Sequence, residues 1–193
     1  MMNTNRMVDW AYCISNPAAV LLMLASTASV HEKLLAAHCR ENGLKMNAPD
    51  ALRQKKHIAD IPDNLDTQAE CLSELVHELG CEIDELQSRR LVDYLVLMLK
   101  QNETMNLTAI REWDKALLLH LADSLVPLPE FKGVVEKNPG KPFLDMGSGA
   151  GLPGIPLAIT NPGVQGVLCD SVKKKMTAVE GFIGALGLGG QLS

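Results

Sequence analysis

Apolar residues recur at helical spacing in the middle of this chain. Between residues 67 and 80 they fall at positions i, i+3, i+4 and i+7, namely Leu72, Leu75, Val76 and Leu79. This spacing places them on one face of an α-helix. Thr67 and Glu70 have the spacing of a capping box, in which each side chain satisfies a backbone N–H group at the helix start. Gly80 is a typical helix end, so the pattern predicts a helix over residues 67–80.

Two more amphipathic helices follow. Asp84 and Gln87 form a second predicted capping box. Behind it lies an apolar stripe at helical spacing, made up of Leu91, Tyr94, Leu95 and Met98. A third helix is predicted over residues 112–125, where Pro127 and Pro129 end it. The apolar faces of three consecutive helices need a partner surface, and the sheet that follows is the natural one.

The spacing changes after Lys141. Two short apolar runs, at residues 142–146 and 164–170, predict β-strands, and a helical stretch follows each of them, at residues 153–160 and 173–186. Strand, loop, helix, strand and helix in this order predict a parallel sheet with a right-handed crossover connection. The sequence therefore predicts an α/β fold in which N-terminal helices precede the first part of a parallel sheet.

The first third of the chain has a different pattern. Asn16 and Pro17 have the features of a helix start, which predicts a helix over residues 17–41, and residues 45–66 have the composition of a linker. The apolar run at residues 19–29 could also belong to a cleaved signal, but its leader has no net charge, so a helix is the better interpretation. We divide the chain into an N-terminal extension without a functional signal (1–65), a helical segment that packs on the core (66–138) and a partial core (139–193).

Composition and charge restrict the class of protein. The formal net charge is −5, and an acidic surface repels phosphate, which argues against a non-specific nucleic-acid binder but not against a local basic patch. The five cysteines include no C-x-x-C pair, so neither a zinc ribbon nor a disulfide framework is expected and a reducing compartment is favoured. No apolar run reaches the roughly 20 residues of a membrane helix. We expect neither a metal site nor a membrane span.

The loop after the first predicted strand carries the strongest chemical signal. It reads Asp145-x-Gly147-x-Gly149-x-Gly151, and glycine permits the positive φ angles of a tight turn beneath a ligand. Ligands of open parallel sheets bind beyond the carboxyl ends of the strands, where both Asp145 and Asp170 fall. S-adenosylmethionine carries an ammonium and a sulfonium but no phosphate, so a carboxylate before the glycines suits it. Asp170 can accept hydrogen bonds from its ribose hydroxyls.

Two alternatives stay open at this point. Gly149-x-Gly151-x-x-Gly154 matches the G-x-G-x-x-G pattern of NAD-binding oxidoreductases, but its first glycine comes late after Asp145, and that carboxylate would repel pyrophosphate. The other alternative is a non-catalytic helical interaction protein with a vestigial strand–helix–strand unit. The acid that precedes the glycines favours S-adenosylmethionine over both.

The glycine loop and its surroundings resemble a known family. "LDMGSGAGLPGIPLAI" closely resembles the signature of the ribosomal RNA small subunit methyltransferase G family, also called glucose-inhibited division protein B. "NETMNLTAI", "HLADSL" and "CDSVKKK" are similar to three further family segments, in the same order and spacing, and the resemblance covers residues 66–188. It implies a Rossmann-like class I fold and S-adenosylmethionine-dependent methylation of guanine N7 in 16S ribosomal RNA, in the cytoplasm.

The resemblance also implies roles for individual residues of the loop. Gly147 and Leu152 match cofactor-contacting positions, Asp145 begins the motif, and Asp170 takes the place of the ribose-binding acid. No catalytic acid or base is expected, because guanine N7 has a free lone pair and no proton must leave before attack. Transfer then depends on alignment and on exclusion of water.

Four residues outside the loop have open roles. His120 and Asp123 lie at i and i+3 of one predicted helix, so they could tie that helix to the preceding loop or contact RNA or cofactor. Lys174 and Lys175 match the family's basic pair. They could form an ordinary solvated helix face or contact RNA phosphates.

The length of the partial core leads to a further expectation. Class I methyltransferases have a seven-stranded sheet, whereas the sequence predicts two strands before the chain ends near a third. We therefore expect this chain to be a truncated relative that transfers methyl groups poorly or not at all. An organelle stroma or matrix is the alternative location if the N-terminal extension is a transit segment.

Overall fold

The computed structural model describes residues 61–193. The helix predicted over residues 17–41 and the linker before residue 61 lie outside this range. The elements in chain order are helix α1 (Leu65–Glu78), helix α2 (Glu85–Met105), helix α3 in three consecutive segments (α-helical Trp113–Ala116, π-helical Leu117–Ala122 and α-helical Asp123–Leu125), helix α4 (Leu128–Lys137), strand β1 (Phe143–Met146), helix α5 (Gly154–Thr160), strand β2 (Gly166–Cys169) and helix α6 (Lys173–Ala185).

Helix α1 begins earlier than the sequence predicted. The predicted capping box at Thr67 is wrong, because Asn64 is the N-cap and its side chain accepts a hydrogen bond of 3.2 Å from the Thr67 N–H group. Asn is as effective an N-cap as Ser or Thr, and here it comes first. Gly80 ends the helix as predicted, with a φ of 78°.

Helix α2 connects the helical segment to the core. Its capping box between Asp84 and Gln87 is confirmed, and the four residues of its apolar stripe are fully buried. Gln87 also donates a 3.1 Å hydrogen bond to the Thr160 carbonyl at the end of α5, and Arg90 donates one of 2.7 Å to the Leu186 carbonyl just after α6. These side chains satisfy carbonyls that a helix end leaves without an intrahelical partner.

The prolines after helix α3 start a new helix. We expected Pro127 and Pro129 only to end α3, but Pro127 is the N-cap of α4 and Pro129 lies in its first turn. Helix α4 was therefore missed. The missing N–H group of proline costs nothing in the first turn of a helix, where no intrahelical acceptor exists.

Strands β1 and β2 pair in parallel, as predicted. Phe143 pairs with Gly166 and Met146 with Cys169, so the two strands end side by side. On the side of β2 away from β1, Gly166 forms a parallel bridge with Leu192, and the Leu168 N–H group donates to the Ser193 carbonyl at 2.9 Å. In the described residues β2 thus lies between β1 and residues 191–193. This small sheet is consistent with a partial class I methyltransferase fold.

One aliphatic core joins the helices to the sheet. Buried residues come from all six helices, α1 to α6, and from β2. Within residues 61–193, no helix has both the length and the apolar composition to cross a membrane.

Candidate functional site

The glycine loop joins strand β1 to helix α5. Gly147, Gly149 and Gly151 have φ angles of 79°, 58° and 99°, a region that residues with a side chain rarely adopt. The backbone N–H groups of Gly147 and Ser148 both donate to the Cys169 carbonyl, at 2.7 and 3.0 Å. The loop is therefore attached to the carboxyl end of β2, where ligands of open parallel sheets bind.

The two faces of the loop differ in the space beside them. A Cβ atom added at Gly147 would meet no atom within 4 Å, and one at Gly149 would meet only the Gly147 carbonyl oxygen, at 3.9 Å. At Gly151 the same atom would lie 2.5 Å from the Ile155 side chain. The first two glycines thus leave open space that a ligand can approach, whereas the third packs against the protein.

Asp170 holds the loop from the end of β2. One carboxylate oxygen accepts a 2.9 Å hydrogen bond from the Gly149 N–H group, and the other accepts one of 2.8 Å from Val172. The Val172 N–H group, together with that of Gly149 and the charge of Lys175, lowers the pKa of Asp170. The carboxylate is thus ionised at neutral pH. Each oxygen has a further lone pair with which it can accept a bond from a ribose hydroxyl.

Asp145 lies beneath the loop. Its side chain is buried, and one carboxylate oxygen accepts a 3.0 Å hydrogen bond from the Gly154 N–H group at the start of α5. Burial, and to a smaller extent the charge of Asp170, raises the pKa of Asp145 to about 6, against the lowering effect of the Gly154 bond. The structure thus brings the two predicted acids close enough to interact, although only Asp170 is accessible to solvent.

Gly154 has a role that the sequence analysis did not assign. A Cβ atom at this position would lie 2.7 Å from the Asp145 carboxylate and 2.9 Å from Leu168 Cγ. Glycine is therefore needed for the close approach of α5 to β1 and β2. The sequence did contain a signal for this role. Gly154 is the last glycine of the G-x-G-x-x-G pattern, and in dinucleotide folds that glycine allows close helix–strand packing.

Leu152, the last predicted cofactor-contacting residue of the loop, is half-buried. It precedes a cis peptide bond to Pro153, and its N–H group donates to the Ser148 carbonyl at 2.9 Å.

A second polar cluster lies at the end of α2. The Asn102 side chain accepts a 2.9 Å hydrogen bond from the Thr108 N–H group, and the Thr108 hydroxyl lies 2.9 Å from His120 Nε2. His120 belongs to the π-helical segment of α3, and burial lowers its pKa to about 4. The neutral imidazole therefore connects α3 to the loop that follows α2. Asp123 begins the α-helical segment that comes next.

The lysines that follow β2 lie in the first turn of α6. Lys174 is exposed and Lys175 is half-buried. The side chain of Lys175 is close enough to contribute to the lowered pKa of Asp170, so the basic pair borders the acid at the loop. In the part of the chain that the structure describes, no group of three or more His, Cys, Asp and Glu side chains could hold a metal ion.

The parallel strands, the open glycine loop and the acid after β2 are consistent with an α/β protein of the methyltransferase type. The family model for rRNA small subunit methyltransferase G matches residues 87–189. This match covers more than half of the chain, from α2 to beyond α6. The chain therefore belongs to the rRNA small subunit methyltransferase G family, and the family resemblance is confirmed.

Curated relatives carry the same family name. The chain is 42% identical over 105 residues to ribosomal RNA small subunit methyltransferase G of Shewanella piezotolerans, covering 54% of this chain and 47% of the relative. It is 40% identical over 117 residues to that of Glaesserella parasuis, covering 61% and 54%. For that of Chromobacterium violaceum the identity is 43% over 111 residues, covering 58% and 50%. The chain thus spans about half the length of the curated relatives it matches.

Proposed function

We propose that this chain takes part in the S-adenosylmethionine-dependent methylation of guanine N7 in 16S ribosomal RNA, in the cytoplasm. The observation that carries the proposal is the glycine loop, whose outer face is open at Gly147 and Gly149 and whose backbone is held by an ionised Asp170. Membership of the methyltransferase G family supports the reaction class. An organelle stroma or matrix is the alternative location.

The residues of the loop fit S-adenosylmethionine. Gly147, Gly149 and Gly151 shape the turn beneath the ligand, with Leu152 at its end, and Asp170 accepts from the ribose hydroxyls. Asp145 contributes through space, because its buried carboxylate is mostly ionised above its pKa of about 6 and attracts a cation on the open face. The same charge disfavours the pyrophosphate of NAD, which argues against the oxidoreductase alternative.

The proposed reaction needs no side chain that acts as a general base. When bound, S-adenosylmethionine supplies an electrophilic methyl group, and guanine N7 supplies its own lone pair. The protein then contributes alignment and exclusion of water, which raise the rate without a general base. The neutral His120 forms a hydrogen bond with the Thr108 hydroxyl. We therefore propose a structural role for His120 and for Asp123 in holding α3 to the preceding loop.

Lys174 and Lys175 are the proposed contacts to RNA phosphate. Cations are disfavoured at a helix N-terminus, because the helix dipole is positive there. The first turn of α6 nevertheless contains lysines and no acidic residue, so these charges do not stabilise the helix. A phosphate group beside them would be favoured by both the lysines and the dipole.

Calorimetric titration of the 193-residue chain tests the cofactor. S-adenosylmethionine and its demethylated product should bind more tightly than NAD, and tighter binding of NAD would contradict the proposal. Gly149→Val should abolish binding, because its side chain would fill the open face of the loop. Gly163→Val is the matched control, since Gly163 also has a positive φ and an added Cβ atom there would meet no atom within 4 Å, but it lies in another turn.

The position of the transferred methyl group tests the RNA substrate. Small ribosomal subunits that lack the modification are incubated with the chain and methyl-labelled S-adenosylmethionine, and the labelled nucleoside is identified. Incorporation by this chain should be weak, and the label that is incorporated should be found as N7-methylguanine in 16S RNA. Label on another base, on ribose or on large-subunit RNA would contradict the assignment.

A further inference from the structure

Helix α2 makes a side-chain hydrogen bond to the glycine loop. Tyr94 is fully buried, and its hydroxyl donates a 2.9 Å hydrogen bond to the carbonyl of Ala150. Its ring packs edge-on against Phe182 of α6, with 5.9 Å between ring centroids. A residue of the helical segment thus reaches the backbone between Gly149 and Gly151.

This bond acts at the most adaptable part of the loop. Ala150 is flanked by two glycines with positive φ, and glycine has more backbone freedom than any other residue. A buried carbonyl that loses its donor costs about 1–3 kcal/mol, so the bond favours the one loop conformation in which the Ala150 carbonyl faces α2. In that conformation the Gly151 and Leu152 N–H groups donate to the Ser148 carbonyl, at 2.7 and 2.9 Å.

The tyrosine is a permanent donor. Burial, and secondarily the charge of Asp145, raises the pKa of Tyr94 well above its usual value of 10, so the hydroxyl keeps its proton at any physiological pH. The docking of α2 does not depend on this bond alone, because Gln87 and Arg90 attach the same helix to the ends of α5 and α6. Of these three side-chain hydrogen bonds of α2, the bond from the Tyr94 hydroxyl is the one that reaches the loop backbone.

We propose that Tyr94 is a positioning residue for the cofactor loop: its hydroxyl holds the Ala150 peptide so that the open face of Gly147 and Gly149 is ready for the ligand. The inference rests on the proposed function, since the ligand of the loop is taken to be S-adenosylmethionine. It extends the cofactor site to a helix that precedes the sheet in the sequence.

Tyr94→Phe is the direct test, because it keeps the ring and removes only the hydroxyl. Arg90→Met is the matched control, since it removes another side-chain donor of α2 that bonds a core carbonyl, far along the chain from the loop. Both variants are compared in the 193-residue chain by urea unfolding, by hydrogen exchange and by titration with S-adenosylmethionine and its demethylated product.

Tyr94→Phe should speed exchange of the Gly151 and Leu152 amides and weaken ligand binding, each by roughly five- to tenfold, the effect of about 1 kcal/mol. Arg90→Met should lower stability without either effect. Equal loop exchange and equal affinity in the two variants would overturn the proposal. If the wild-type chain binds neither ligand, the proposed function fails, whereas the exchange comparison still decides the role of Tyr94.

A measurement on the wild-type chain is independent of any loss of folding in the variants. The proton of a buried, hydrogen-bonded tyrosine hydroxyl exchanges slowly with water and is visible by NMR. It should show a nuclear Overhauser contact to the Gly151 amide. A Tyr94 hydroxyl in rapid exchange with water would overturn the proposal as firmly as an unaffected loop in Tyr94→Phe.

Discussion

Two buried groups should change the stability of this protein in opposite directions over the same range of pH. Burial raises the pKa of Asp145 from 3.8 to about 6. Between these values the folded chain binds more protons at this site than the unfolded chain, so its contribution to the free energy of unfolding falls as pH rises. Burial lowers the pKa of His120 from 6.5 to about 4. Here the unfolded chain binds more protons, so the contribution of His120 rises with pH.

The magnitudes of the two effects are similar. A pKa change from 3.8 to about 6, or from 6.5 to about 4, corresponds to roughly 3 to 3.5 kcal/mol at most. In the wild-type chain the two contributions therefore largely cancel. Asp145→Asn removes the falling contribution, so the free energy of unfolding should then increase by up to about 3 kcal/mol as pH rises through this range. His120→Gln should produce the opposite slope.

Urea unfolding followed by circular dichroism, at intervals from about pH 4 to about pH 7, measures both slopes. The double variant is the control, and its slope should return close to that of the wild type. Asp170 does not interfere, because its pKa is lowered and it titrates below this range. Single variants with slopes of the same sign would refute the assignment of buried, oppositely shifted groups.

Three further predictions concern the core and the site. Gly154→Ala should lower the free energy of unfolding by about 1–3 kcal/mol, since its Cβ atom would overlap Asp145 and Leu168. As a control, Gly181→Ala, in an open part of α6, should raise the free energy of unfolding by up to about 1 kcal/mol. If urea unfolding shows Gly154→Ala to be more stable than Gly181→Ala, the packing argument is wrong. Asp170→Asn should weaken S-adenosylmethionine binding at least roughly tenfold through loss of a charged acceptor, whereas Asp114→Asn, on α3, should leave the titration unchanged. Replacement of Lys174 and Lys175 by Ala should weaken binding of small-subunit RNA and make it less dependent on salt, and filter binding should show no such change for Lys137→Ala.

The sequence alone determined the features that depend on neighbouring residues. The capping box at Asp84, the buried stripe of α2, the helix end at Gly80 and the parallel strands were predicted and are confirmed. The positive φ angles of the glycine loop were also expected from residue type. Each of these follows from the conformational preference of a residue or from a short periodic pattern. The roles of the site residues in binding remain predictions.

The tertiary structure decided which of several competing local signals was used. Asn64 rather than Thr67 caps α1, and Pro127 and Pro129 begin a helix instead of only ending one, because packing selects among starts that are locally almost equivalent. It also decided the partners of the buried polar groups. The hydroxyl of Tyr94 and the carbonyl of Ala150 are 56 residues apart in the chain, and no local pattern connects them. They meet because the apolar stripe of α2 packs against the core, and a buried carbonyl must find a donor among the groups that this packing brings near.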